Sequence, residues 1–179
     1  MIRTPVCDVL QIDHPIALGG MGSVYAPELV AAVSRAGGLG AMGCHYLTPE
    51  QVHAGTAAIR KLTNRPFALN FLLFDIEEDS FASALALRPS VIAFAWPSPE
   101  QAVTPYVERA HAAGCKVTFE ARAALQTARK NGDLDEAVLS MGQDAGLIHD
   151  IAPAAEIVSR IAEEAERILT DRMTRLVRK

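Results

Sequence analysis

Apolar residues in this chain come in short runs that stop abruptly at glycine, proline or charge. Five such runs, at residues 16–18, 39–43, 67–74, 91–96 and 116–119, are too short for helices and mostly lack the polar alternation of a half-wetted strand. They read as strands, and the almost unbroken run 67–74 reads as one buried on both faces of a parallel sheet. Between them the period changes to that of a helix. Residues 27–36 put Leu29, Val30 and Val33 on one face, with Pro27 at a first helical position and Gly37-Gly38 as a left-handed exit. Thr48-Pro49-Glu50-Gln51 predicts the next helix through an N-cap, a first-turn proline and a capping-box glutamine, and that helix ends before Asn64-Arg65-Pro66. A third helix is expected over 77–87. Ser98-Pro99-Glu100-Gln101 repeats the cap signature ahead of a fourth, which closes at 111–114. The strand starts recur about every 25 residues, the rhythm of parallel strands whose crossovers each carry a helix.

That rhythm fits two architectures, an open doubly wound sheet or the first part of a (βα)₈ barrel, which typically closes at about 250 residues. After Phe119 it stops. Residues 120–130 are helical by composition, Asn131-Gly132 breaks them, and Asp133-Leu134-Asp135-Glu136 starts another helix with an acidic first turn. From residue 153 a long helix carries Ile157, Ile161, Ala165 and Ile168 on one stripe, with Glu156/Arg160 and Glu163/Arg167 spaced for ion pairs elsewhere on its surface. Such a helix needs a surface to cover. The chain therefore divides into βα units over 1–119 and a helical segment over 120–179 that packs on them.

Composition narrows the class of partner. The 179 residues are 50% hydrophobic and 21% charged, as in a soluble globular chain with one sizeable core. A net charge of −4 without a basic stripe excludes a nucleic-acid footprint and favours a small-molecule ligand. No stretch is long and apolar enough to cross a bilayer, and the N-terminus lacks a signal core, so a cytoplasmic location is expected. Cys7, Cys44 and Cys115 are widely separated and form no C-x-x-C pair, which predicts reduced thiols and no metal site.

Candidate chemistry concentrates at the end of the first strand, in Gly19-Gly20-Met21-Gly22-Ser23. The three glycines there remove the Cβ atoms that keep a ligand off the backbone, so whatever binds would lie against main chain at the carboxyl ends of the strands. Asn70 interrupts the apolar run 67–74. A buried amide in such a strand is either satisfied by neighbouring backbone or directed at a polar ligand. His45 follows the second strand and would face the same rim, but a loop histidine without a visible partner is expected to be solvated.

These residues carry a resemblance. Gly19-Gly20-Met21-Gly22-Ser23, the helix opening Ala26-Pro27-Glu28-Leu29-Val30-Ala31-Ala32-Val33-Ser34 and Ala36-Gly37-Gly38-Leu39-Gly40 together resemble the start of the nitronate monooxygenase (2-nitropropane dioxygenase) family. Leu47-Thr48-Pro49-Glu50, Arg65-Pro66-Phe67-Ala68-Leu69-Asn70 and Gly114-Cys115-Lys116-Val117-Thr118-Phe119 are similar to later motifs in the same order, and 132–148 is similar to the family's closing segment. The resemblance implies an incomplete TIM-type (βα) barrel of about five parallel βα units plus C-terminal helices. It implies FMN as cofactor, with Gly19, Gly20, Met21 and Gly22 against the flavin ring, Asn70 contacting it and Lys116 near it; Gln143 could reach the cleft from the tail. It implies an oxidoreductase that oxidises alkyl nitronates or nitroalkanes with molecular oxygen. In the family, strand five is followed by further units that bear the catalytic histidine and hold the FMN phosphate. Here Phe119 runs directly into the tail, and no histidine matches the catalytic position. The alternative is a remnant or flavin-binding module without turnover. An unclosed barrel also exposes an inner face and strand edges, which predicts self-association.

Overall fold

The structure, a computed structural model, describes residues 3–21, 25–120 and 150–172. Prolines start several of its helices, at positions where a missing N–H costs nothing. The elements run α1 (Pro5–Leu10), α2 (Pro27–Arg35), β1 (Gly40–Gly43), α3 (Pro49–Leu62), β2 (Phe67–Leu72), a 3₁₀ turn (Leu73–Asp75), α4 (Glu78–Leu87), β3 (Val91–Ala95), α5 (Thr104–Ala112), β4 (Lys116–Glu120) and α6 (Ala154–Arg167), the last continued by a π-turn (Ile168–Arg172). Among the described residues no helix is long and apolar enough to cross a membrane.

The strands form one parallel sheet in the order β1-β2-β3-β4. Spatial order equals chain order, with none of the reversal that creates the switch point of a doubly wound sheet. This is the connectivity of an incomplete (βα) barrel. The expected first strand at 16–18 is reduced to a parallel bridge between Ala17 and Leu39. Leu18 N donates to Leu39 O at 2.9 Å and Leu39 N to Ile16 O at 2.9 Å. Pro15 on one side and Gly19-Gly20 on the other leave too few residues to extend the ladder.

Strand parity separates the two faces of the sheet. On the outer face Met42, Leu69, Phe71, Ile92 and Phe94 pack under Val30, Val52, Ile59 and Phe81 from the helices. Phe81 is the hub, with ring centroids 5.3 Å from Phe71, 5.7 Å from Phe94 and 5.8 Å from Tyr106, and the Arg109 guanidinium 4.6 Å from its own centroid. Among the described residues, the inner face is plugged at its amino-terminal end, where Cys7 and Leu10 of α1, with Ile12, bury Leu39, Ala41, Ala68 and Val91. Above that plug one register row reads Gly43, Asn70, Ala93, Thr118. It is small and polar where the outer face is aromatic.

The Thr48 capping box forms as expected, with Gln51 N on Thr48 Oγ1 at 3.3 Å and Thr48 N on Gln51 Oε1 at 2.9 Å. Its apparent repeat at 98–101 does not start a helix. Ser98 N does donate to Gln101 Oε1 at 3.0 Å, but Gln101 Nε2 donates to Leu73 O at 2.6 Å. That bond to the neighbouring loop holds the segment as a turn, and α5 begins only at Thr104. The C-terminal helix also departs from expectation. α6 packs on α2 and buries Val158, while Ile157 (45%), Ile161 (48%) and Ile168 (39%) remain exposed. Arg160 pairs with Glu156 as expected, whereas Arg167 pairs with Glu164 at 3.3 Å rather than with Glu163. The breaks expected at 131–136 lie outside the described residues.

Candidate functional site

From the Ala17 bridge the chain crosses the carboxyl ends of β1 and β2 as a strap of bare backbone. A Cβ on Gly20 would lie 2.2 Å from Asn70 Oδ1 and 2.4 Å from its Cγ. A Cβ on Gly43 would lie 2.8 Å from Met21 O. Glycine at these two positions is therefore a packing requirement: the strap rests on β1 at Gly43 and against the Asn70 amide on β2. Gly19 differs, because a Cβ there meets nothing within 4 Å. Gly19 and Gly20 are both exposed. Gly22 and Ser23 lie outside the described residues.

Asn70 is satisfied by neighbouring backbone, the first of the two readings of a strand amide. Its Nδ2 donates to Ala93 O at 3.3 Å, and its backbone O accepts from Cys44 N at 2.8 Å, while Oδ1 points to Gly20. The amide is anchored on β3 and faces the strap. Lys116 is not brought to this point. Its register partner is Val91, in line with Ala68, so it sits on the inner face of β4 one row nearer the amino-terminal end than Asn70. Two strand spacings separate it from β2, about 10 Å. Gln143 lies outside the described residues.

Sequence reasoning placed His45 at this rim but expected it to be solvated. His45 is not solvated: it is 8% exposed, with Nε2 3.9 Å from Asp75 Oδ2. That separation suits an ion pair when the imidazole is charged but is too long for a hydrogen bond. The ring lies 3.6 Å from Tyr46 and 5.8 Å from Phe74, centroid to centroid. Tyr46 (φ 63) and Trp96 (φ 52) both take left-handed backbone conformations, which are costly for large side chains. Cross-links hold the loops in place: Ser80 Oγ donates to Leu47 O at 2.6 Å, Phe74 N to Trp96 O at 3.1 Å, and Gln101 to Leu73 O. Asp75 stands thirty positions after His45, a separation that no sequence period reveals.

The cysteines are free and buried. Burial pushes the Cys44 thiol up to about 12, so it is no nucleophile at neutral pH. Among the described residues no cluster of His, Cys, Asp and Glu could hold a metal.

The glycine strap thus lies on an inner-facing asparagine at the carboxyl rim of the parallel strands. Residues 3–88 match the nitronate monooxygenase family model. Over those residues the chain is similar to the nitronate monooxygenase family. A stretch of 72 residues is 36% identical to a probable nitronate monooxygenase of Staphylococcus saprophyticus, spanning 40% of this chain and 20% of that protein. Another 69-residue match is 35% identical to (3aS,4S,5R,7aS)-5-hydroxy-7a-methyl-1-oxo-octahydro-1H-indene-4-carboxyl-CoA dehydrogenase of Mycobacterium tuberculosis, 38% of this chain and 19% of that one. The matches thus span about a fifth of the length of these curated relatives. Among solved structures, FabK from Thermotoga maritima superposes with TM-score 0.61 at 30% identity, over 74% of this chain and 42% of that one. Nitroalkane oxidase from Streptomyces ansochromogenes, at 22% identity and TM-score 0.54 over 71% of this chain and 45% of that one, shares the fold.

Proposed function

We propose that the carboxyl rim of this half barrel is the ring-binding part of an FMN site, and that the chain is a cytoplasmic oxidoreductase acting on alkyl nitronates or nitroalkanes with molecular oxygen. The observation that carries the reading is the strap: exposed main chain at Gly19 and Gly20, seated on Gly43 and on the anchored Asn70 amide. A flavin ring is flat and has hydrogen-bonding edges, so backbone without Cβ atoms and one fixed amide suit it. FMN, when bound, supplies the two-electron step and the reaction with oxygen. The chain's contribution is to seat the ring on residues 19–22, hold its edge with Asn70, and place the Lys116 charge on the same inner face.

The family resemblance puts phosphate binding in units with no counterpart here. Each charge-assisted hydrogen bond to a phosphate is worth about 1.5–3 kcal/mol, so losing two or three weakens binding by roughly two to six decades. The ring alone then carries affinity, and riboflavin should bind about as well as FMN. A second reading has its own support, since 69 residues of the chain are 35% identical to a carboxyl-CoA dehydrogenase: the substrate is then an acyl-CoA in place of a nitronate. A third is a flavin-binding module without turnover.

The test is nitronate-dependent oxygen uptake by the purified chain in saturating FMN, beside a parallel assay with an acyl-CoA and an artificial electron acceptor. Uptake above the FMN-only rate supports the first reading, acceptor reduction the second. Flavin binding with neither supports the third.

A further inference from the structure

α6 carries more apolar surface than its docking uses. Successive residues turn about 100° around a helix, so Ile157, Ile161 and Ile168 fall within about 40° of one another, next to the line through Val158 that faces α2. Val158 is buried while the three isoleucines are exposed. Along the far side of this stripe run Glu156, Arg160, Glu163, Glu164 and Arg167. The stripe is thus bounded by α2 on one side and by a single charged flank on the other.

That flank is self-complementary when reversed. A two-fold axis perpendicular to α6 brings two copies together antiparallel, apolar stripe to stripe and charged flank to charged flank. One register then sets Glu156 opposite Arg167 of the second copy and Arg160 opposite its Glu163. A parallel pairing would instead set every charge level with its own duplicate. Arg160 and Arg167 already bond Glu156 and Glu164 within the chain, so the second copy would extend these pairs into alternating networks.

We propose that the exposed face of α6 is a homodimer contact: two copies pair antiparallel through Ile157, Ile161 and Ile168, with the charged flank fixing the register. The isoleucines supply the driving force and the ion pairs the direction. A helix of 14 residues is only about 21 Å long, so the interface is small and the dimer weak, with a Kd on the order of 1–100 µM. The proposal stands independently of the flavin reading.

Sedimentation velocity of the full chain from about 1 to 300 µM, spanning that range, is the experiment. The sedimenting mass should rise from monomer to dimer. Ile161→Glu, at an exposed site and checked for unchanged circular dichroism, should weaken the dimer by about tenfold or more. Arg160→Glu should weaken it less, and the double variant Arg160→Glu/Glu163→Arg should recover part of that loss. A chain monomeric throughout overturns the proposal. So does a dimer indifferent to Ile161→Glu, since association would then run through the open sheet edges. An Arg160→Glu variant that the second substitution fails to rescue overturns the antiparallel register.

Discussion

The two faces of the sheet are made by the same strands and have opposite characters. Alternate residues of β2 go outward as Phe67, Leu69 and Phe71, all buried, and inward as Ala68, Asn70 and Leu72. β3 repeats the division, with Ile92 and Phe94 outward and Ala93 inward. Outward side chains are large because helices must be held there by apolar contact. Inward ones are small or polar, and beyond the α1 plug they border the glycine strap. The difference teaches that stability and the proposed binding are separated by strand parity, one residue apart, so neighbouring substitutions should have unlike consequences.

The largest effect belongs to the outer face. Phe81→Ala removes the ring that Phe71, Phe94, Tyr106 and Arg109 surround and should cost about 3–5 kcal/mol, read from urea unfolding. Gly40→Ala follows. Its new Cβ would lie 2.1 Å from Val30 O and 2.8 Å from Ser34 Oγ, so α2 must move off β1, at about 1–3 kcal/mol in the same assay.

Cys44 tests outer-face burial by pH. Its folded thiol is raised from 9.0 to about 12 by desolvation, so the unfolded chain releases this proton first as pH rises. Stability from this group is complete below pH 9.0 and is lost progressively toward about 12. A thiol reagent at pH 8 should label Cys44 only after unfolding, as peptide mapping will show; labelling of the native chain would deny the burial.

The smallest effect on stability is expected on the inner face. Gly20→Ala meets Asn70, whose amide can turn aside by giving up its bond to Ala93, while the exposed strap must also lift off Asn70 Cβ, 2.7 Å from the new methyl. Unfolding free energy should fall by only about 1 kcal/mol, near the worth of one hydrogen bond. Flavin affinity should fall by about tenfold, because both strap and amide are displaced.

Much of this division is legible in the chain itself. Apolar runs that stop at glycine, proline or charge mark the strands, and Thr48 with Gln51 marks a helix start, because both depend on neighbours within a few residues. Other features depend on contacts between distant segments. Gln101 bonds the loop at Leu73 instead of completing a cap. Lys116 takes its height from its pairing with Val91. His45 owes its burial to Phe74 and Asp75 on the next loop. On α6 two adjacent lines are both apolar, so the period alone does not decide that Val158, and not the isoleucine stripe, meets α2.

The most direct test of the strap as a ring platform is a fluorescence titration of FMN and, separately, riboflavin with the wild-type chain and with Gly20→Ala. The account predicts that both flavins are quenched with affinities within about threefold of each other, and that the substitution weakens both by about tenfold. No quenching by either flavin, or equal binding by the Gly20→Ala chain, would contradict it.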